Sequence, residues 1–131
     1  MYSKKKIITA VCIAATITVC ATASTPPGEF KNLKVLPKNI SSKDLSKIMV
    51  DDFADGLGVS CGFCHAENKD THKPDYASDE KPEKKIAREM MRMTTKINKR
   101  FFKLDHPVIG NSSLAITCST CHRGAAFPED K

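Results

Sequence analysis

Two histidines and four cysteines form twin pentapeptides, Cys61-Gly62-Phe63-Cys64-His65 and Cys118-Ser119-Thr120-Cys121-His122, which take every cysteine beyond residue 20. Both read C-x-x-C-H. Two thiols at this spacing can each add across one vinyl group of a porphyrin, and the histidine that follows then lies under the iron as an axial ligand. The chemistry predicted is covalent attachment of c-type haem, with two copies for two iron porphyrins. Cys61, Cys64, Cys118 and Cys121 would supply the thioethers, His65 and His122 the proximal nitrogens. With six Cys and four His in the 131 residues, chance gives only about 0.008 copies of the pattern. A β-branched residue and a hydroxyl residue precede each copy, Val59-Ser60 and Ile116-Thr117, as in an internal duplication.

Three other chemistries use the same thiols. Structural zinc normally takes two C-x-x-C pairs about 15 to 20 residues apart, whereas 53 residues lie between Cys64 and Cys118. A thioredoxin-like redox site needs a buried strand before the motif, and the residues before Cys61 read as helix. Disulfide staples suit a small exported chain. Zinc and disulfides both leave the trailing histidines unexplained.

Each motif needs an element to cover the far side of its iron. Ser41-Ser42-Lys43-Asp44 has the form of a capping box, so a helix should start there. Leu45, Ile48, Met49 and Phe53 fall on one 3.6-period stripe, Lys43, Lys47, Asp51 and Asp55 face water, and Gly56 and Gly58 end the helix. Met49 stands twelve residues before Cys61, so the helix can cross one haem face with Met49 as sixth ligand while the reversed chain delivers His65 to the other. The bland alternative for Met49 is an ordinary core residue.

The second cover is a long helix from Glu83 to about Phe102, with Ile86, Met90, Met93, Ile97 and Phe101 on its apolar face and basic residues opposite. Burial against a cofactor is the expected fate of that face. Met90 and Met93 share it, Met91 lies about 100° away, and position alone does not separate the first two. Between the helices, residues 68–85 read as a polar surface loop, in which Ser78 or Asp79 could cap the second helix and Pro82 fits its first turn. Residues 105–113 form a second loop carrying His106, an alternative axial ligand or a solvated histidine. His72 reads as solvated. Residues 32–36 are a short apolar, extended stretch closed by Pro37.

Three lysines and then fourteen uncharged residues, Ile7 to Cys20, open the chain as a secretory signal, with cleavage expected after Ala23. Fourteen residues are too few for a comfortable membrane span, which needs about 20. Lipidation at Cys20 or an uncleaved signal would tie the protein to a membrane. The expected organisation is signal 1–23, linker 24–31, dihaem cytochrome domain 32–128 and tail 129–131. Export places the chain in the periplasm or beyond, where c-type haem is attached. Losing Lys4, Lys5 and Lys6 takes the formal charge from +6 to +3, and haem propionates lower it further. Lysines interspersed with acids exclude nucleic acid as a natural partner. Lys96, Lys99, Arg100 and Arg123 form either a steering patch for an acidic partner or a solvated face.

From about residue 32 to residue 128 the chain resembles the c-type cytochrome domain of the cytochrome subunit of photosynthetic reaction centres, and its relatives in bacteria that do not photosynthesise. The specific segments are Ile86-Ala87-Arg88-Glu89-Met90-Met91-Arg92-Met93-Thr94-Thr95-Lys96-Ile97-Asn98 and Ile116-Thr117-Cys118-Ser119-Thr120-Cys121-His122-Arg123-Gly124. The resemblance implies a repeated helix, turn and C-x-x-C-H unit with a helix methionine as sixth ligand. It selects Met49 for the first haem and Met90, the first methionine of the Ala-Arg-x-Met block, for the second. That subunit has four haem motifs and this chain two, so it resembles one half of the subunit. The loop before Cys118 is long for the family. A loop histidine of the full subunit ligates a haem of the other half; His106 could match it, without that haem here. Photosynthesis does not follow from the likeness.

The expected protein is a small, mainly α, exported dihaem cytochrome c with two helix–turn–C-x-x-C-H units and long loops. It would carry single electrons between redox proteins, within or beside a membrane respiratory or photosynthetic complex. Each iron with both axial positions filled argues for a carrier and against an enzyme. The alternative is a haem enzyme or a gas or redox sensor with one open iron site.

Overall fold

A computed structural model describes residues 30–128. The expected signal, its cleavage site, Cys12, Cys20, the Thr25–Gly28 linker and the 129–131 tail lie outside the described residues. Helix α1 spans Ser42–Lys47 and runs on as a π-helix over Ile48–Asp55. Helix α2 is Cys61–Cys64, α3 Pro82–Phe101 and α4 Cys118–His122. Strands β1 (Ala66–Glu67) and β2 (Pro74–Asp75) pair antiparallel, Ala66 opposite Asp75. Among the described residues no helix is long and apolar enough to cross a membrane.

The expected cap starts the first helix: Ser41 Oγ accepts from Asp44 N at 3.1 Å and donates to Asp44 Oδ2 at 2.7 Å. Its apolar stripe turns inward, with Ile48 buried and Leu45, Met49 and Phe53 packed against the core. The widening into a π-helix has no signature in the residue pattern; such turns often accompany functional sites. Of the two glycines expected to end the helix, only Gly58 does so, at φ +64°. Gly56 stays right-handed and buried, where a Cβ would come within 3.1 Å of Ser119 Oγ and 3.7 Å of Cys118 Cβ. Glycine at 56 therefore admits the second motif.

Helix α3 forms with Pro82 in its first turn, but neither Ser78 nor Asp79 caps it; Lys81 holds the cap position without a side-chain bond. Asp79 instead pairs with Lys34 at 2.6 Å and Arg88 at 2.7 Å, and accepts from Asn32 at 2.8 Å. These bonds bind residues 32–34 to α3, and the stretch bends through them rather than running extended, with Asn32 at φ +69°. The polar loop before α3 carries β2 and pairs it with β1 just before residue 68, a hairpin too short for its pattern to register in the sequence.

The buried core joins Leu36, Ile48, Met91 and Ile109 from four separate segments. The buried line of α3 is Met91, Thr94 and Asn98. The stripe expected to be buried against a cofactor faces away from this core: Ile86 is 57 %, Met90 39 %, Met93 46 % and Phe101 68 % exposed. The protein core takes one side of α3, and among the described residues no element buries the apolar side.

Candidate functional site

Each C-x-x-C-H segment folds as one short helical turn. Gly58 reverses the chain after the π-helix, Val59 N donates to Ala54 O at 3.1 Å, and Ser60 in extended conformation starts α2. The His65 ring meets Tyr76 edge-on, 5.1 Å between centroids. Its Nδ1 is buried without a hydrogen-bond partner. Burial, then the nearby Lys84 cation, hold His65 below the ordinary histidine range; the Tyr76 backbone opposes this without reaching hydrogen-bond geometry at Nδ1. Lys84 itself is tied down, its Nζ donating to Tyr76 O at 2.7 Å and Ser78 O at 2.6 Å.

The second motif has a fuller cap. Thr117 and Thr120 form a reciprocal box, with Thr117 N donating to Thr120 Oγ1 at 3.0 Å, and Arg123 ends the turn at φ +51°. His122 Nδ1 lies 3.0 Å from Ala125 O. A carbonyl only accepts, so Nδ1 carries the proton, and in the neutral ring Nε2 keeps its lone pair. This is the tautomer an iron-binding histidine requires, fixed by an outer hydrogen bond.

The four motif cysteines are unpaired. Burial raises the Cys64 thiol, helped by Glu83, and pushes Cys118 up to about 11, helped by Asp52. Both are thiols at neutral pH. Among the described residues no three His, Cys, Asp or Glu side chains stand where they could hold a metal ion, and a helix rather than a strand precedes Cys61. The thioredoxin-like alternative, which needs a strand there, therefore finds no support.

The two units interlock. Helix α2 packs on α3, and α4 packs on the π-helix, so each motif leans on the helix of the other unit. Gly124 N donates to Gly56 O at 3.1 Å, and a Cβ on Gly58 would run into the Gly124 carbonyl. Met49 is half-buried at the core edge. Met90 and Met93 share the outward face of α3 and remain equivalent by position. His106, exposed and at φ +50°, lines a surface cavity with Lys96 and Lys99, whereas His72 bonds Glu67 at 2.8 Å in the hairpin. Tyr76 and Ala125, which meet the two histidines, carry no mark in the sequence pattern, and Asn98 ends a segment that carries the resemblance with nothing there to mark its role.

The residues fit a covalently held porphyrin on their own evidence: free thiols in pairs, an imidazole with its iron-binding nitrogen left open, and an exposed apolar face on α3. A family model described as the photosynthetic reaction centre cytochrome C subunit matches residues 3–131. This chain belongs to that family. Members of this c-type cytochrome family include the photosynthetic reaction center cytochrome c subunit of Rubrivivax gelatinosus, 34 % identical over 70 residues, 53 % of this chain and 16 % of that protein. Cytochrome c-554 of Chloroflexus aurantiacus is 34 % identical over 94 residues, 72 % of this chain and 20 % of that protein. The subunit from Roseobacter denitrificans matches at 34 % over 70 residues, 53 % of this chain and 17 % of that protein. The matched part thus spans a fifth or less of each curated relative. No solved structure matches the chain.

Proposed function

We propose that the chain is an exported dihaem cytochrome c that passes single electrons between redox proteins. The observation that carries the reading is the His122 Nδ1 to Ala125 O bond, which leaves Nε2 open beside a pair of free thiols. Cys61 and Cys64 hold one haem and Cys118 and Cys121 the other. His65 and Met49 would ligate the iron of the first, His122 and Met90 that of the second. Bound there, the porphyrin iron would supply a one-electron couple, whose potential a methionine ligand would raise relative to a second histidine.

Pairing within each unit is supported by the cross-unit packing. Elements packed directly together leave no space for a porphyrin, so α2 with α3, and α4 with the π-helix, are poor walls for one site. The outward stripe of Ile86, Met90, Met93 and Phe101 gives the second haem an apolar cover. A helix methionine as sixth ligand is also what the family resemblance implies, and it selects Met90 over Met93. With a histidine and a methionine on each iron, no coordination site would remain for substrate. Redox proteins, within a membrane respiratory or photosynthetic complex, are the proposed partners, and the periplasm is the proposed location.

Carbon monoxide binding tests the ligands. Met90→Ala opens one haem to it and Met93→Ala opens none; the reverse result reassigns the ligand. Ready binding to the unaltered protein contradicts the carrier and favours an enzyme or sensor.

A further inference from the structure

Asn98 is fully buried, at 0 % exposure, in the last turns of α3. Its Nδ2 donates to Thr94 O at 2.9 Å and Ile116 O at 2.8 Å, and its Oδ1 accepts from Ala115 N at 2.8 Å and Ile116 N at 3.1 Å. Two donors and two acceptors exhaust what a primary amide can offer. Every side-chain hydrogen bond found between α3 and residues 114–122 belongs to this one residue. Its own carbonyl accepts from Leu104 N at 3.3 Å, which fixes the path by which the chain leaves the helix.

The need for such a clamp follows from chain length. In the first unit Met49 stands twelve residues before Cys61; in the second, Met90 stands 28 before Cys118. Residues 102–117 intervene after α3, and helix α4 leans on the π-helix rather than on α3. Asn98 holds Ala115 and Ile116, directly before the Thr117 cap of α4, against the helix that carries Met90 about 12 Å further back at 1.5 Å per residue.

We propose that Asn98 is the positioning residue of the second haem, setting the register of the Met90 helix against Cys118–His122. The proposal rests on the haem reading above. It requires that loss of Asn98 affect the iron of one unit only. Buried polar groups that are wholly satisfied are costly to disturb, so general destabilisation must be separated from a ligand effect.

The test compares Asn98→Leu, Asn98→Asp and Leu36→Ala in the holoprotein. Leu36 lies in the core and makes none of the hydrogen bonds that hold Ala115 and Ile116, so Leu36→Ala reports destabilisation without releasing that segment. Haem content, the potential of each haem, the weak near-red sulfur–iron absorption and carbon monoxide binding are measured. Asn98→Leu is expected to keep both haems, lose half of the near-red band, lower one potential and bind up to one carbon monoxide per chain. Asn98→Asp keeps the two accepting bonds and should recover part of the band, while Leu36→Ala keeps all of it. Should Asn98→Leu fail to accumulate, Asn98→Asp carries the test by the same criterion. Unchanged potentials and band, or equal effects on both haems, overturn the proposal. An unaltered protein without haem overturns the reading beneath it instead.

Discussion

The two C-x-x-C-H units share a motif and differ in how the chain returns to it. The first uses a tight reversal: a π-helix, Gly58 at φ +64°, and α2 three residues later. The second crosses a long loop and recovers its register through Asn98. The histidines differ accordingly. His122 has its tautomer set by Ala125, while His65 has a buried Nδ1 with no partner and the Lys84 cation nearby. A duplicated motif thus sits in two unlike settings, and the two haems are expected to differ in potential.

The largest effect comes from the thiols. Replacing Cys61 and Cys64 together by serine should lower bound haem from two to one per chain, and so should the Cys118 and Cys121 pair, as iron analysis against protein mass would show. Loss of both haems from either double variant would break the picture of two separately loaded units.

Next is the contact between the units. Gly58→Ala places a Cβ against the Gly124 carbonyl at a positive φ, and about 1–3 kcal/mol or more of stability should be lost, measured by thermal unfolding of the holoprotein. Gly62 in α2 has open space around it, its nearest neighbour to an added Cβ being Ser60 Oγ at 4.0 Å. Gly62→Ala should change stability by less than about 1 kcal/mol. Equal effects would mean that the Gly58 turn is not the rigid joint between the units.

The smallest effect lies in the loop that follows the first unit. Lys34, then Arg88, hold the Asp79 carboxyl well below the usual carboxylate range. A depressed folded value contributes stability that is present above the unfolded value of about 3.9 and lost as pH falls through the folded one. Asp79→Asn should therefore melt lower than the parent at neutral pH, with the gap closing below about pH 3.9. The site is exposed, so the gap should be modest and shrink with salt.

Legibility in the sequence followed the chemistry. The twin motifs, the Ser41 cap and the length of α3 are local patterns, and each has its counterpart in the structure. The face that α3 buries was not readable. Met91, Thr94 and Asn98 turn inward because Leu36, Ile48 and Ile109 arrive from distant segments, and periodicity on one helix cannot register them. The Lys34–Asp79 pair escaped for the same reason, being a contact far along the chain, whereas the β1–β2 hairpin is too short to show a pattern and the π-helix has no signature in the residues. For the ligands, position marks Met49, leaves Met90 and Met93 level, and only the family resemblance separates these two.

Intact mass and iron content of the protein, made in a host that attaches c-type haem, test the central claim most directly. The account predicts a chain heavier by two haem groups, with two irons, in which the thiols of Cys61, Cys64, Cys118 and Cys121 no longer react with alkylating reagents. An unmodified mass with four reactive thiols at these positions and no iron would contradict it.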